Sequence, residues 1–129
     1  MKLAICTDVF ADLSYTDMLD KVKSLGIDAV EMTAGGWGAR KHCNTAELLA
    51  DADKRRAFMD ELHKRGMRIS ALNTSCNPTW PSETGEEYKK SMYDCATLAG
   101  LLGVKKIVAM AGLPAGAPGD TTSNWITST

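Results

Sequence analysis

Short apolar runs alternate along this chain with longer stretches in which apolar residues recur every three or four positions. Residues 2–7, 28–33, 67–73 and 104–110 are rich in Ile, Val, Leu, Met and Ala. Such runs suit strands covered on both faces of a parallel sheet. Between them, Met18, Leu19, Val22 and Leu25 mark one helical face, Phe58, Met59 and Leu62 a second, and Tyr88, Met92, Cys95, Ala99 and Leu102 a third. The predicted order is strand, helix, strand, helix, strand, helix, strand.

Local signals punctuate this pattern. Ser14 with Asp17, Asn44 with Glu47 and Thr84 with Glu87 each set a capping oxygen three residues before a carboxylate, the spacing of a capping box. Gly26, Gly66 and Gly103 stand between helix and strand in "LGIDAVEM", "RGMRISAL" and "LGVKKIVAM", where a left-handed residue ends a helix. These glycines are 40 and then 37 residues apart, the size of a right-handed βαβ unit. An open doubly wound sheet and a (β/α)8 barrel both satisfy the alternation. Segments after the strands, 34–44 and 74–83, are long, and those after the helices are short, so variable material gathers at the carboxyl ends of the strands. Eight such units would make a barrel of about 300 residues.

Composition narrows the function classes. A net charge of −1, with both signs interspersed, leaves no basic field for nucleic acid or an anionic membrane. "MKLAICTDVF" is not a secretory leader, and no run reaches the roughly 20 apolar residues of a membrane span, so a cytoplasmic location is expected. Cys6, Cys43, Cys76 and Cys95 form no C-x-x-C pair and are expected to be reduced structural thiols.

Candidate chemistry lies in the loops. "GGWGAR", residues 35–40, matches neither the dinucleotide fingerprint nor the P-loop, and its glycines are expected to bend the backbone and carry Trp37 to a ligand or a neighbouring loop. His63 falls on a solvated helix face, whereas His42 lies in the loop after the second strand, where it could bond a substrate hydroxyl. Glu31 is the one acid inside an apolar strand, and it is expected either to form an ion pair or to face a polar interior. Asp8, Glu31 and Asp120, with Cys6 and Cys76 as softer alternatives, are too few and too scattered to predict a metal centre. No nucleophile has an identifiable base, so no catalytic residue is assigned. In "SALNTSCNPTWP", residues 70–81, Asn73 and Asn77 supply amides beside the apolar wall of Trp80 and Pro81. Donors and acceptors next to an indole suit a polyol, and an Asx turn with a packed Trp is the plainer alternative.

Taken together, "CTDVFADL", "VEMTAGGWG", "ISALNTSCNPTWP" and "MAGLPAGAPGD" resemble the opening of the sugar phosphate isomerase/epimerase family, the xylose-isomerase-like TIM barrels. The resemblance implies an α/β fold in which residues 1–129 form the N-terminal half of a (β/α)8 barrel, with four parallel strands and three helices. It implies a divalent metal (Mn, Mg, Co or Zn) in the full-length family and metal-assisted proton transfer on a sugar or inositol-like polyol. The family's metal ligands come from later strands, so no metal is expected for this chain alone. Phe10, Trp37, His42, Asn73 and Asn77 map to the substrate-facing half, and residues 112–125 to the loop after the fourth strand. Half a barrel leaves edges open, so self-association or pairing with a complementary half is expected. A non-catalytic binding or assembly module is the alternative, and the DNA-repair nuclease branch of the same barrel is disfavoured for want of histidines at the strand ends.

Overall fold

A computed structural model describes residues 2–117, 119 and 120. Its strands are β1 (Ile5–Cys6), β2 (Ala29–Thr33), β3 (Arg68–Asn73) and β4 (Ile107–Val108). The α-helices are α1 (Tyr15–Ser24), α2 (Thr45–Ala50), α3 (Ala52–Lys64) and α4 (Glu83–Leu102), and a 3-10 turn, Thr7–Phe10, follows β1. All pairings are parallel and the sheet order is β1-β2-β3-β4. A doubly wound sheet reverses direction at a switch point, and this one does not. Sequential parallel strands with helices on one face form an arc of a (β/α)8 barrel, four strands of the eight.

The predicted second helix is two helices. Asp51 adopts an extended conformation (φ −124°, ψ 116°) and its carboxylate accepts from the amides of Asp53 and Lys54, starting α3 one residue after α2 stops. Arg55 donates to the carbonyls of Leu48 and Leu49, satisfying the end of α2. Two of the three expected caps form as read: Ser14 accepts from the Asp17 amide and Asn44 from that of Glu47. At α4 the cap is Ser82, which accepts from the Gly85 amide, so Thr84 lies inside the first turn instead of before it. Gly26, Gly66 and Gly103 have φ of 75°, 63° and 69°, the left-handed geometry a Cβ disfavours. Leu25, read as part of the apolar face of α1, is its exposed C-cap.

Met18, Leu19 and Val22 of α1, Leu62 of α3 and Leu98 of α4 are fully buried against Val30 and Met32 of β2 and Leu72 of β3. Arg65, just past α3, grips Asp20 of α1 (2.5 Å) and Glu61 of α3 (2.7 Å), tying adjacent helices across the core's rim. Tyr15 stacks on Phe58, with centroids 4.7 Å apart, and donates to the Phe58 carbonyl at 2.9 Å. In β4, Ile107 and Val108 are exposed. Among the described residues no helix is long and apolar enough to cross a membrane.

Candidate functional site

The inner face of the arc carries Glu31, Thr33 and Asn73 among Ala29, Ala71 and Val108, and one irregularity in β3 brings Glu31 and Asn73 together there. The register runs Val30 opposite Ile69 and then Glu31 opposite Ala71, so Ser70 is an extra residue in β3. Its hydroxyl is spent on the Val30 carbonyl at 2.9 Å. A one-residue insertion moves every later side chain to the other face. Leu72 therefore joins Met32 in the core, and Asn73 comes to the inner face beside Glu31.

Glu31 is half-buried and accepts from Asn73 Nδ2 at 2.6 Å. Its partner is thus an amide, not the cation that an ion pair requires. Asn73 Oδ1 in turn accepts from the Ser75 amide at 2.8 Å, which fixes the amide plane and aims its NH2 at the carboxylate. Cys6 stands opposite Glu31 in the register, with Thr33 and then Asn73 at the carboxyl ends of their strands. A carboxylate accepts only, and an amide both donates and accepts. Together they offer complementary positions to neighbouring hydroxyls of a ligand.

The loops above this face are tied to one another. Gly36 has φ 70°, and a Cβ there would lie 2.8 Å from the Ser75 carbonyl carbon, so only glycine allows the loop after β2 to lie this close to the loop after β3. The Gly36 amide donates to Ser91 Oγ of α4, and the Trp37 amide to the Ser75 carbonyl. Trp37 is half exposed, with its indole N–H on the Tyr88 hydroxyl at 2.8 Å and its ring edge-on to Tyr88.

Of the residues mapped to the substrate side, Asn73 lies on the inner face and Trp37 above the strand ends, while the other three have other surroundings. Phe10 is partly buried in the 3-10 turn, packed on the hydrophobic core. His42 is 6% exposed, with Nε2 at 3.1 Å from the Leu13 carbonyl, and no described hydrogen bond joins it to Glu31 or Asn73. Asn77 is fully buried and bonded to Leu113. Of the tail expected to form the loop after β4, residues 118 and 121–125 lie outside the described residues. Glu31 was visible as an acid in an apolar strand, but nothing in the sequence marked the bulge that pairs it with Asn73.

Among the described residues no group of three or more His, Cys, Asp or Glu side chains could hold a metal ion, so these residues do not fit the metal of the resembled family. Burial pushes the Cys43 and Cys95 thiols up to about 11 and raises Cys76, in keeping with inert thiols. A cavity of about 460 Å³ lies at the opposite end of the sheet near Lys2, Asp28 and Arg68, and one of about 640 Å³ lies between the β2 loop and α4. Neither is lined by Glu31 or Asn73.

No family model matches the chain. Over all 129 residues it is 48% identical to a Bacillus subtilis (strain 168) protein described as "Uncharacterized protein YfiH", and it spans 41% of that protein's length. Among solved structures, it is similar to the crystal structure of the probable 3-DHS dehydratase AsbF, involved in petrobactin synthesis, from Bacillus anthracis. The TM-score is 0.61 at 18% identity, covering 87% of this chain and 39% of that one. That neighbour is a TIM barrel, and the likeness is one of fold.

Proposed function

We propose that residues 1–129 form the substrate-facing half of a (β/α)8 barrel that isomerises or epimerises a sugar or inositol-like polyol. The observation that carries this reading is the Glu31–Asn73 pair, turned to the inner face by the Ser70 bulge at the end of the strands where such barrels bind ligands. Glu31 accepts a ligand hydroxyl through the oxygen not bonded to Asn73, the second N–H of Asn73 donates to a neighbouring oxygen, and the indole of Trp37 covers C–H faces. In this reading the divalent metal is held by the later strands of the full-length barrel, and no step is assigned to it here. The remaining strands, or a second or complementary half-barrel, close against the outer edges of β1 and β4, which accounts for the exposed Ile107 and Val108. The 41% span of the relative supports this division of the barrel.

The test is calorimetric titration of the chain with D-xylose and with myo-inositol, for the wild type and Glu31→Gln. Gln keeps the oxygen that accepts from Asn73, so the fold is retained while the charge is lost. A hydrogen bond to a charged group contributes about 1.5 kcal/mol or more, so affinity should fall at least about tenfold. Absence of saturable binding of both ligands, or wild-type affinity in Glu31→Gln, would sink the proposal.

A further inference from the structure

The ladder between β3 and β4 ends with Asn73 beside Val108, followed by one bond from the Thr74 amide to the Val108 carbonyl. Beyond that point the two loops are joined by a side chain. Asn77 Nδ2 donates to the Leu113 carbonyl at 2.9 Å, and the Leu113 amide donates to Asn77 Oδ1 at 2.8 Å. One buried amide thus meets both backbone groups of Leu113, as a neighbouring strand would. The Leu113 N–H only donates and its carbonyl only accepts, which fixes which end of the amide faces which group, and Oδ1 also accepts from Thr79 Oγ1 at 3.0 Å.

The approach depends on Gly112. Its φ is 83°, and a Cβ there would lie 2.5 Å from Asn77 Oδ1 and 2.7 Å from Thr79 Oγ1. The Leu113 side chain is exposed, so it does not anchor this backbone in the core.

We infer that Asn77 is a positioning residue: it holds the backbone at Leu113, and with it the start of the loop after β4, against the end of β3, and does not itself contact the ligand. This deepens the polyol reading and rests on it for its functional meaning, because the loop so held borders the Asn73 end of the site. Asn fits this role by chemistry. Asp offers no donor to the Leu113 carbonyl at neutral pH, and Leu offers neither donor nor acceptor.

The experiment is amide hydrogen exchange by NMR on the 129-residue chain as wild type, Asn77→Leu and Gly112→Ala, alongside titration with D-xylose and myo-inositol. The Leu113 amide is expected to exchange at least about tenfold faster in both variants, since each opens the same clamp. Protection at Leu72 and Leu98 reports that the fold is retained, and Gly112→Ala leaves the Asn77 side chain in place. Unchanged exchange at Leu113 in both variants overturns the clamp. Loss of polyol binding in Asn77→Leu with Leu113 still protected also overturns it, by making Asn77 a direct contact. If the wild type binds neither polyol, the functional reading fails, and the exchange data still decide the clamp.

Discussion

Helix α4 contains two glycines that a single substitution should move in opposite directions. Gly100 has nothing within 4 Å of where a Cβ would stand, so Gly100→Ala changes only helix propensity. The expected gain is about 0.5–1 kcal/mol. Gly85 is buried in the first turn, and a Cβ there would lie 2.9 Å from the Trp80 carbonyl carbon, with the carbonyl oxygen closer still. Unstrained carbon contacts are about 3.5–4.0 Å. The obstacle is backbone, which cannot rotate aside as a long side chain can. The same carbonyl accepts from the Ser82 amide at 2.9 Å, so moving it also disturbs the turn that presents the α4 cap. Overpacking of this kind costs about 1–3 kcal/mol, which exceeds the propensity gain. Gly85→Ala is therefore expected to destabilise by about 1–2 kcal/mol net. At about 4 °C per kcal/mol for a domain of this size, its melting midpoint falls by about 4–8 °C and that of Gly100→Ala rises by about 2–4 °C. Thermal unfolding followed by circular dichroism reads both. A Gly85→Ala chain as stable as wild type would refute the packing argument, since propensity alone predicts gains at both positions.

Two further predictions concern single hydrogen-bonded groups. Tyr15→Phe removes the bond to the Phe58 carbonyl and keeps the ring stack, so urea denaturation should show a loss of about 0.5–1.5 kcal/mol, and no loss would mean that bond is not maintained in solution. The carboxyl of Asp51 is held below its ordinary range by the backbone N–H of Lys54 and then that of Asp53, and Asp20 and Asp28 are lowered by Arg65 and Lys23. The native state then binds fewer protons than the unfolded chain, so these groups contribute stability above their unfolded range that is lost as pH falls from about 5 to about 2. Asp51→Asn keeps a capping oxygen without the titration, so its stability should depend less steeply on pH across that window, and an unchanged slope would show that Asp51 is not part of the acid response.

How much of the site was legible depends on the range of the interaction. Asn73 and Glu31 stood out as polar groups at or within apolar strands, yet the sequence left Glu31 between an ion pair and a polar interior, because a partner 42 residues away is chosen by register. Asn77 was mapped to the substrate side from its place in the loop after the third strand and from the family resemblance. Its actual bonds go to Leu113, 36 residues on, and only the packing of the two loops sets that pair. His42 was read from its loop position, while the chain folds it onto the Leu13 carbonyl.

By itself the sequence determined what depends on neighbours a few residues apart. Apolar spacing set the alternation of strands and helices, Ser14 and Asn44 set two helix starts, and Gly26, Gly66 and Gly103 set three helix ends. These choices are governed by backbone sterics and local hydrogen bonds, which the chain carries wherever it goes. Alternation alone left an open sheet and a barrel both open and the resemblance pointed to the barrel, which the sequential order of the four strands bears out. The tertiary structure alone decided, through the extra residue Ser70, which face of β3 is apolar core and which carries Asn73. Register is a property of two strands together, and a shift of one residue changes every side chain's face without changing the composition of either strand.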